Sequence, residues 1–151
     1  MNKTETAVQC RGVSKAFHTG DTKVVALDKV DLMVLPGEFL MLVGPSGCGK
    51  TTLLSVIAGI LEADEGECEI FGSSYSKMSK EDRIGFRGKN IGFIFQSYNL
   101  MPSLSVAENV AIPLIINGME RKQAIRKAGE ALDVVGLKGR GREKPNQLSG
   151  G

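Results

Sequence analysis

This sequence has little histidine and cysteine, and neither sign of charge is in large excess. Its single histidine and its three widely spaced cysteines, Cys10, Cys48 and Cys68, support neither a zinc site nor a disulfide framework, and they fit a reducing compartment best. The 19 basic and 17 acidic residues are interspersed and leave a formal net charge of +2, which gives no strong field for nucleic acid or anionic lipid. Pro36 and Pro113 interrupt the longest apolar runs well short of a membrane span. We therefore expect a soluble, cytosolic chain with no nucleic-acid partner.

Patterns of apolar residues predict strands that alternate with helices. Runs of β-forming residues bounded by turn signals predict strands at 7–13, 23–35, 38–44, 66–72 and 90–96. Helices are predicted over 50–58, from residue 79, from residue 105 and over 120–136. Ser105 and Glu108 form a capping box, Pro113 should kink or shorten the helix that follows it, and Gly136 is placed to end the last helix. The 151 residues, 42% of them hydrophobic, suffice for one sizeable core, and the alternation predicts an α/β fold.

A glycine-rich loop carries the clearest chemical signal. The residues from Gly44 to Thr51, GPSGCGKT, fit the pattern G-x-x-x-x-G-K-[ST] and lie between an apolar run and a predicted helix. Glycines let the backbone approach a triphosphate closely, so that N–H groups and the positive end of the helix dipole face its charge. The predicted nucleotide-binding residues are Gly44, Pro45, Ser46, Gly47, Cys48, Gly49, Lys50, Thr51 and Thr52. The alternative is a glycine-rich turn without a ligand.

Several side chains of this loop have predicted chemical roles. Lys50 would reach the β- and γ-phosphates, the Thr51 hydroxyl would ligate Mg²⁺, and Thr52 would support the α-phosphate. Cys48 has no general base nearby in the sequence, so we interpret it as a spectator thiol, open to alkylation, and not as a nucleophile. A nucleoside triphosphate with Mg²⁺ is therefore the expected ligand.

Two further motifs give the chain a family resemblance. It ends in Leu148-Ser-Gly-Gly151, and residues 93–100 read FIFQSYNL. Together with the glycine-rich loop, these motifs resemble the ATP-binding cassette (ABC) ATPase family over nearly the whole chain. Within that family, residues 87–124 look most like the ATPases of lipoprotein-releasing, macrolide-export and cell-division transport complexes. The resemblance implies that the nucleotide is ATP and that its metal ion is Mg²⁺.

The resemblance also implies a role for Gln96. It matches the glutamine that approaches Mg²⁺ and the attacking water and that couples the nucleotide site to the membrane partner. Lys50 and Gln96 are thus the expected catalytic residues, and Thr51 and Gln96 the expected metal-binding ones. Taken alone, Gln96 would be a polar residue at the end of a strand.

Phe17 and the last residues of the chain complete the implied nucleotide site. Phe17 matches the aromatic position that stacks on adenine, where tyrosine is usual; taken alone, it would be a core residue. Ser149, Gly150 and Gly151 match the signature motif, which contacts the γ-phosphate held by a second protomer. The implied assembly is a head-to-tail dimer around two ATP molecules. Without the resemblance, Ser149 could be the N-cap of a helix.

The resemblance further implies the fold and the partners. The fold would be a P-loop NTPase (RecA-like) core with an N-terminal antiparallel β subdomain and the start of a helical subdomain, incomplete at its C-terminus. Residues 1–151 would be the N-terminal part of one ABC ATPase domain, with the β subdomain and core over 1–96 and the helical subdomain over 97–151. The complete protein would hydrolyse ATP to drive a transmembrane permease from the cytoplasmic face of the membrane, with residues 97–119 facing that permease.

Some residues that hydrolysis requires in this family are not in the sequence. The Mg²⁺-binding aspartate, the neighbouring glutamate and the switch histidine all follow the signature motif, and His18 lies near the N-terminus. We therefore expect this chain to be a fragment that is inactive alone and marginally stable or prone to aggregate. One alternative is an ATP-binding or interaction module without turnover. Another is a GTPase or small-molecule kinase, although no Asn-Lys-x-Asp tetrapeptide occurs and the final motif argues against a kinase.

Overall fold

The computed structural model describes residues 6–149. The chain divides into two compact units, the first ending at Arg87 and the second beginning at Gly88. The strands are β1 (Val8–Thr19), β2 (Thr22–Val34), β3 (Glu65–Ile70) and β4 (Ser73–Ser74). The helices are α1 (Lys50–Ile57), α2 (Lys80–Asn90), α3 (Val106–Ile116) and α4 (Arg121–Val134).

An antiparallel sheet organises the first unit. Its strand order is β2-β1-β3-β4, and every neighbouring pair is antiparallel. β1 and β2 form a hairpin in which Thr19 pairs with Thr22 across a two-residue turn. Cys10, Val13 and Ile70 are the largest fully buried side chains. Helix α1 contacts β1, β2 and β3, so the core lies between this helix and the sheet.

Two helices build the core of the second unit. Ala111 on α3 and Ala124 and Ala128 on α4 are fully buried together, and such small side chains let two helices approach closely. A second buried cluster joins Val106 and Ala107 of α3 to Leu132 of α4. Half-buried residues that pack on this second cluster are Ile125, Leu137 and Leu148.

Three of the helix signals in the sequence are confirmed. The Ser105 side chain accepts a hydrogen bond from the Glu108 N–H while the Glu108 side chain accepts one from the Ser105 N–H, as in a capping box. Ser79 accepts a hydrogen bond from the Asp82 N–H at the start of α2. Gly136 follows α4 with φ of 80°, a conformation that favours glycine at the end of a helix. Pro113 does not end α3, which continues to Ile116.

Two of the five predicted strands are wrong. Residues 38–44 and 91–95 have no regular secondary structure, and Asn90 is the last residue of α2. The side chains of Phe39 and Ile94 are 86% and 96% exposed. An apolar run becomes a strand only when another strand satisfies its backbone N–H and C=O groups. In residues 6–149 the sheet consists of β1 to β4, and none of these pairs with either segment.

Candidate nucleotide-binding site

The glycine-rich loop joins residues 38–44 to α1, and Gly49 fixes where it lies. Gly49 has φ of 89° and precedes the first residue of α1. A Cβ at this position would lie 2.2 Å from the carbonyl oxygen of Ala26 and 3.1 Å from the Leu27 side chain, both on β2. Only glycine combines this positive φ with so close an approach to another backbone. The loop is therefore seated directly on the central part of the sheet's hairpin.

Lys50 lies folded over the loop. Its Nζ donates hydrogen bonds to the carbonyl oxygens of Gly44 at 2.9 Å and Pro45 at 2.7 Å. The Cys48 Sγ lies 3.4 Å from the same ammonium group. The ammonium group thus sits among loop atoms that a phosphate would adjoin, and its partners are neutral carbonyls, which a phosphate oxygen can replace with a charge-assisted hydrogen bond.

The N-terminus of α1 is open to an anion. The Leu53 N–H donates to the Gly49 carbonyl at 2.9 Å, so the amides of residues 50–52 precede the first helical hydrogen bond and have no acceptor within the helix. Gly49 provides no side-chain cap, and the first turn contains no acidic residue. Unpaired donors and the positive end of the helix dipole together favour phosphate at this point.

The other predicted loop residues are accessible. Pro45, Ser46, Gly47, Cys48 and Thr51 are exposed, and Thr52 is half-buried. Thr51 and Thr52 belong to the first turn of α1. Hydroxyl oxygens are suitable ligands for Mg²⁺, which usually keeps waters and phosphate oxygens as its other ligands. The residues present thus fit a phosphate chain with its metal ion.

Phe17 is on β1, and it is not a core residue. Its side chain is 40% exposed, which leaves part of the ring open for stacking. The Lys15 Nζ lies 6.0 Å from the ring centroid and 2.6 Å from the Asp64 carboxylate. Asp64 also accepts a hydrogen bond from the Ala16 N–H at 2.8 Å. These bonds, with the Ala16 amide as the largest cause, hold the pKa of Asp64 below its ordinary value.

Gln96 belongs to the second unit, whereas the phosphate loop belongs to the first. Gln96 is exposed and follows the irregular segment 91–95. It is therefore not a polar residue at the end of a strand. Its predicted approach to the phosphate loop and to Mg²⁺ stays a prediction, as does the division of the domain after Gln96.

The segment before the signature motif is held by an ion pair that sequence reasoning missed. Arg140 donates to both carboxylate oxygens of Glu143, at 2.7 to 3.1 Å, and to the Gln147 carbonyl at 3.1 Å. The pKa of Glu143 is lowered because Arg140 hydrogen-bonds to its carboxylate. Opposite charges three residues apart, at Arg140 and Glu143, were a signal that could have revealed this pair.

The same segment caps α3. The Val106 N–H donates to the Glu143 carbonyl and the Ala107 N–H to the Gly141 carbonyl, both at 2.9 Å. Leu148, the first signature residue, packs on the buried cluster of α3 and α4. Leu148 is therefore held near the N-terminal end of α3. Ser149 is exposed, and Gly150 and Gly151 lie outside the described residues.

A glycine loop seated on a strand, a lysine over that loop and an uncapped helix N-terminus define a phosphate-loop nucleotide-binding protein. Comparisons with known proteins define the class further. The family model described as ABC transporter matches residues 27–151. The chain is 40% identical over 147 residues to the lipoprotein-releasing system ATP-binding protein LolD of Chromohalobacter salexigens, a match that covers 97% of this chain and 62% of that protein.

A second relative and a solved structure are also ATP-binding cassette proteins. The chain is 42% identical over 139 residues to an uncharacterized ABC transporter ATP-binding protein of Thermotoga maritima, covering 92% of this chain and 59% of that one. It also resembles a dimeric structure of the ATP-binding cassette MJ0796 in a post-hydrolysis state bound to ADP and Pi. That likeness has a TM-score of 0.86 and 35% identity, and it covers 95% of this chain and 63% of that one.

The chain belongs to the ABC transporter family, as its motifs predict. The family and the structural likeness confirm the α/β phosphate-loop fold class, and they decide against the GTPase and small-molecule kinase alternatives. The chain spans 59% to 63% of the length of the relatives described above. Within residues 6–149, none of the helices is both long enough and apolar enough to cross a bilayer.

Proposed function

We propose that this chain is part of the ATP-binding subunit of an ABC transporter and that it binds Mg-ATP at the phosphate loop. The observation that carries this proposal is the position of Lys50 over the loop, within 2.9 Å of two carbonyl oxygens, beside the uncapped N-terminus of α1. A glycine-rich turn without a ligand does not require a cation beside its own carbonyl oxygens. A triphosphate gives that cation, and the open amides of residues 50–52, a partner of opposite charge.

Different residues of the chain are proposed to contact the phosphates, the metal ion and the adenine. Lys50 exchanges its carbonyl partners for oxygens of the β- and γ-phosphates, and the loop amides hold the phosphate chain. Thr51 is the proposed Mg²⁺ ligand in the loop, with Gln96 as a second ligand and Phe17 stacked on the adenine. Bound Mg²⁺ neutralises phosphate charge and so assists phosphoryl transfer. Lys50 and Gln96 are the residues of this chain that we assign to catalysis.

We also propose the partners of the complete protein. The similar structure is described as dimeric, and several relatives are named as ATP-binding proteins of a lipoprotein-releasing system. A head-to-tail dimer would place Ser149, Gly150 and Gly151 of one protomer against the γ-phosphate held by the other. The packing of Leu148 on the buried core of the second unit supports this role for the end of the chain. A transmembrane permease at the cytoplasmic face would receive the motion that ATP drives.

Turnover requires a base that activates water, in addition to the groups that bind ATP. Asp64, an acid next to β3 in the first unit, already accepts hydrogen bonds from Lys15 and the Ala16 amide. Its lowered pKa makes it a weak base, so it is unsuited to activating water. We therefore propose that residues 1–151 alone bind ATP but release no phosphate above the background rate.

Calorimetric titration of Mg-ATP into the purified chain tests the proposal. Lys50→Ala should weaken binding at least about tenfold, because a charge-assisted hydrogen bond contributes roughly 1.5–3 kcal/mol. Lys127→Ala, which removes an exposed lysine from α4, is the matched control and should leave the affinity unchanged. Equal affinities of wild type and Lys50→Ala would refute the proposed site. A phosphate-release assay on the same samples tests the absence of turnover.

A further inference from the structure

Strands β1 and β3 carry two cysteines that face each other in the core. Cys10 and Cys68 are partners in the antiparallel β1/β3 ladder. Their Sγ atoms are hydrogen-bonded at 3.2 Å. Both are free thiols, and their exposed fractions are 0% and 7%. The third cysteine, Cys48, is exposed in the phosphate loop and serves as the reference for a thiol that does not face another cysteine.

The backbone around this pair suits a disulfide. Residues directly opposite in antiparallel strands have Cα atoms about 4.5–5.5 Å apart, within the roughly 4.4–6.8 Å that disulfides span. The two Sγ atoms of Cys10 and Cys68, now 3.2 Å apart, must approach by about 1 Å to reach a bond of about 2.05 Å. Small side-chain rotations on two strands that are already paired are enough for this approach.

A cavity gives a small oxidant access to the pair. It has a volume of about 200 Å³, and Cys68 lines it together with Gly66, Tyr75 and Arg83. The Tyr75 hydroxyl and the Arg83 Nε are buried without a hydrogen-bond partner among the described residues. Unpaired buried donors stabilise a small molecule that offers acceptor oxygens. A peroxide has that chemistry and is small enough for this space.

We propose that Cys10 and Cys68 are a modification site, at which a peroxide forms a reversible disulfide between β1 and β3. The Cys68 sulfur attacks one peroxide oxygen and the O–O bond breaks. The departing hydroxide takes the thiol proton to form water, and Cys68 becomes a sulfenic acid. The Cys10 sulfur then attacks the Cys68 sulfur, the S–O bond breaks, and the released hydroxide takes the Cys10 proton to form a second water. The two thiols lose two electrons and the peroxide gains them. A dithiol reductant reverses the reaction.

Access sets this order, because Cys68 lines the cavity whereas Cys10 is fully buried. The pKa shifts of the two thiols favour only the second step. The hydrogen bond with Cys68 lowers the pKa of Cys10, which favours Cys10 as the attacking sulfur of the second step. The same hydrogen bond, followed by burial, raises the pKa of Cys68. Little thiolate is then present at Cys68, so the first step is slower than oxidation of an exposed thiol.

The test is peroxide treatment of the folded chain followed by alkylation and non-reducing peptide mass spectrometry. We expect a peptide pair joined through Cys10 and Cys68 that disappears after treatment with dithiothreitol. Cys48→Ser should give the same cross-link, whereas Cys10→Ser and Cys68→Ser, checked for folding by circular dichroism, should give none. The oxidised chain should also unfold at a higher temperature than the reduced chain, because the bond closes a loop between residues 58 positions apart.

Two outcomes would overturn the proposal. One is oxidation of Cys48 in the folded chain with Cys10 and Cys68 still recovered as alkylated or separately oxidised thiols. The other is a Cys10–Cys68 cross-link that forms only when urea is present, since the pair would then react through the unfolded state. If a serine variant does not fold, the wild-type comparison with and without urea decides alone. None of these readouts depends on ATP binding, so the proposed function can fail without affecting this site.

Discussion

The antiparallel sheet and the apolar segments 38–44 and 91–95 have similar β-forming compositions but different structures. The strands β1, β2 and β3 are paired, and their inward side chains, such as Cys10 and Ile70, are buried. Phe39 and Ile94, in the two segments, are almost fully exposed. β1 and β2 are joined by a two-residue turn, so each finds its partner next to it in the sequence. Residues 6–149 provide no partner strand for either of the two segments.

This difference predicts that apolar residues of the two regions have unequal effects on stability. Ile70→Ala removes a side chain that is 1% exposed and should lower the free energy of unfolding by about 2–5 kcal/mol. Phe39→Ala should change it by no more than about 0.5 kcal/mol. Urea denaturation followed by circular dichroism measures both, with Ile70→Val as a milder variant if Ile70→Ala does not fold. A comparable loss in Phe39→Ala would show that residues 38–44 pack in solution.

A second effect on stability is expected where the phosphate loop meets the sheet. Gly49→Ala places an alanine at a φ of 89° with its Cβ 2.2 Å from the Ala26 carbonyl oxygen. Backbone strain alone should lower the free energy of unfolding by about 1–3 kcal/mol, and the close contact should add to this loss or displace the loop. Gly47→Ala has a φ of 82° but nothing within 4 Å of the new Cβ, so only the strain applies. Thermal unfolding and ATP titration of both variants distinguish the two. Equal losses would mean that contact with β2 does not fix the loop.

The smallest expected effect concerns Asp64, which links the chain before β3 to β1. Its folded-state pKa is lowered, so its contribution to stability is complete above the unfolded-state pKa and is lost as the pH falls through the folded value. Wild type should therefore be more stable than Asp64→Asn at neutral pH, and this advantage should shrink below about pH 4. Asp21→Asn, in the exposed turn between β1 and β2, is the control. Denaturation midpoints measured from neutral to acidic pH check the trend, and a pH-independent difference would contradict it.

Sequence reasoning was most successful where the cause is local. The capping box of Ser105 and Glu108, the helix that follows the glycine-rich loop and the stop at Gly136 all depend on residues within a few positions of each other. The family followed from motifs that are short and contiguous. The roles of Phe17 and Gln96 stay predictions, because they depend on a bound nucleotide and on distances between separate parts of the chain.

The amino-acid sequence by itself determined the helices, the existence of strands β1, β2 and β3, the phosphate loop and the family. Only the tertiary structure decided that residues 38–44 and 91–95 are not strands, that Lys50 lies on the loop carbonyls, that Arg140 and Glu143 hold the segment before the signature, and that Cys10 faces Cys68. The physical reason is the range of the interactions. A helix satisfies its hydrogen bonds within one segment, whereas a strand, a folded-over side chain or a pair of thiols depends on which distant groups the fold brings next to it.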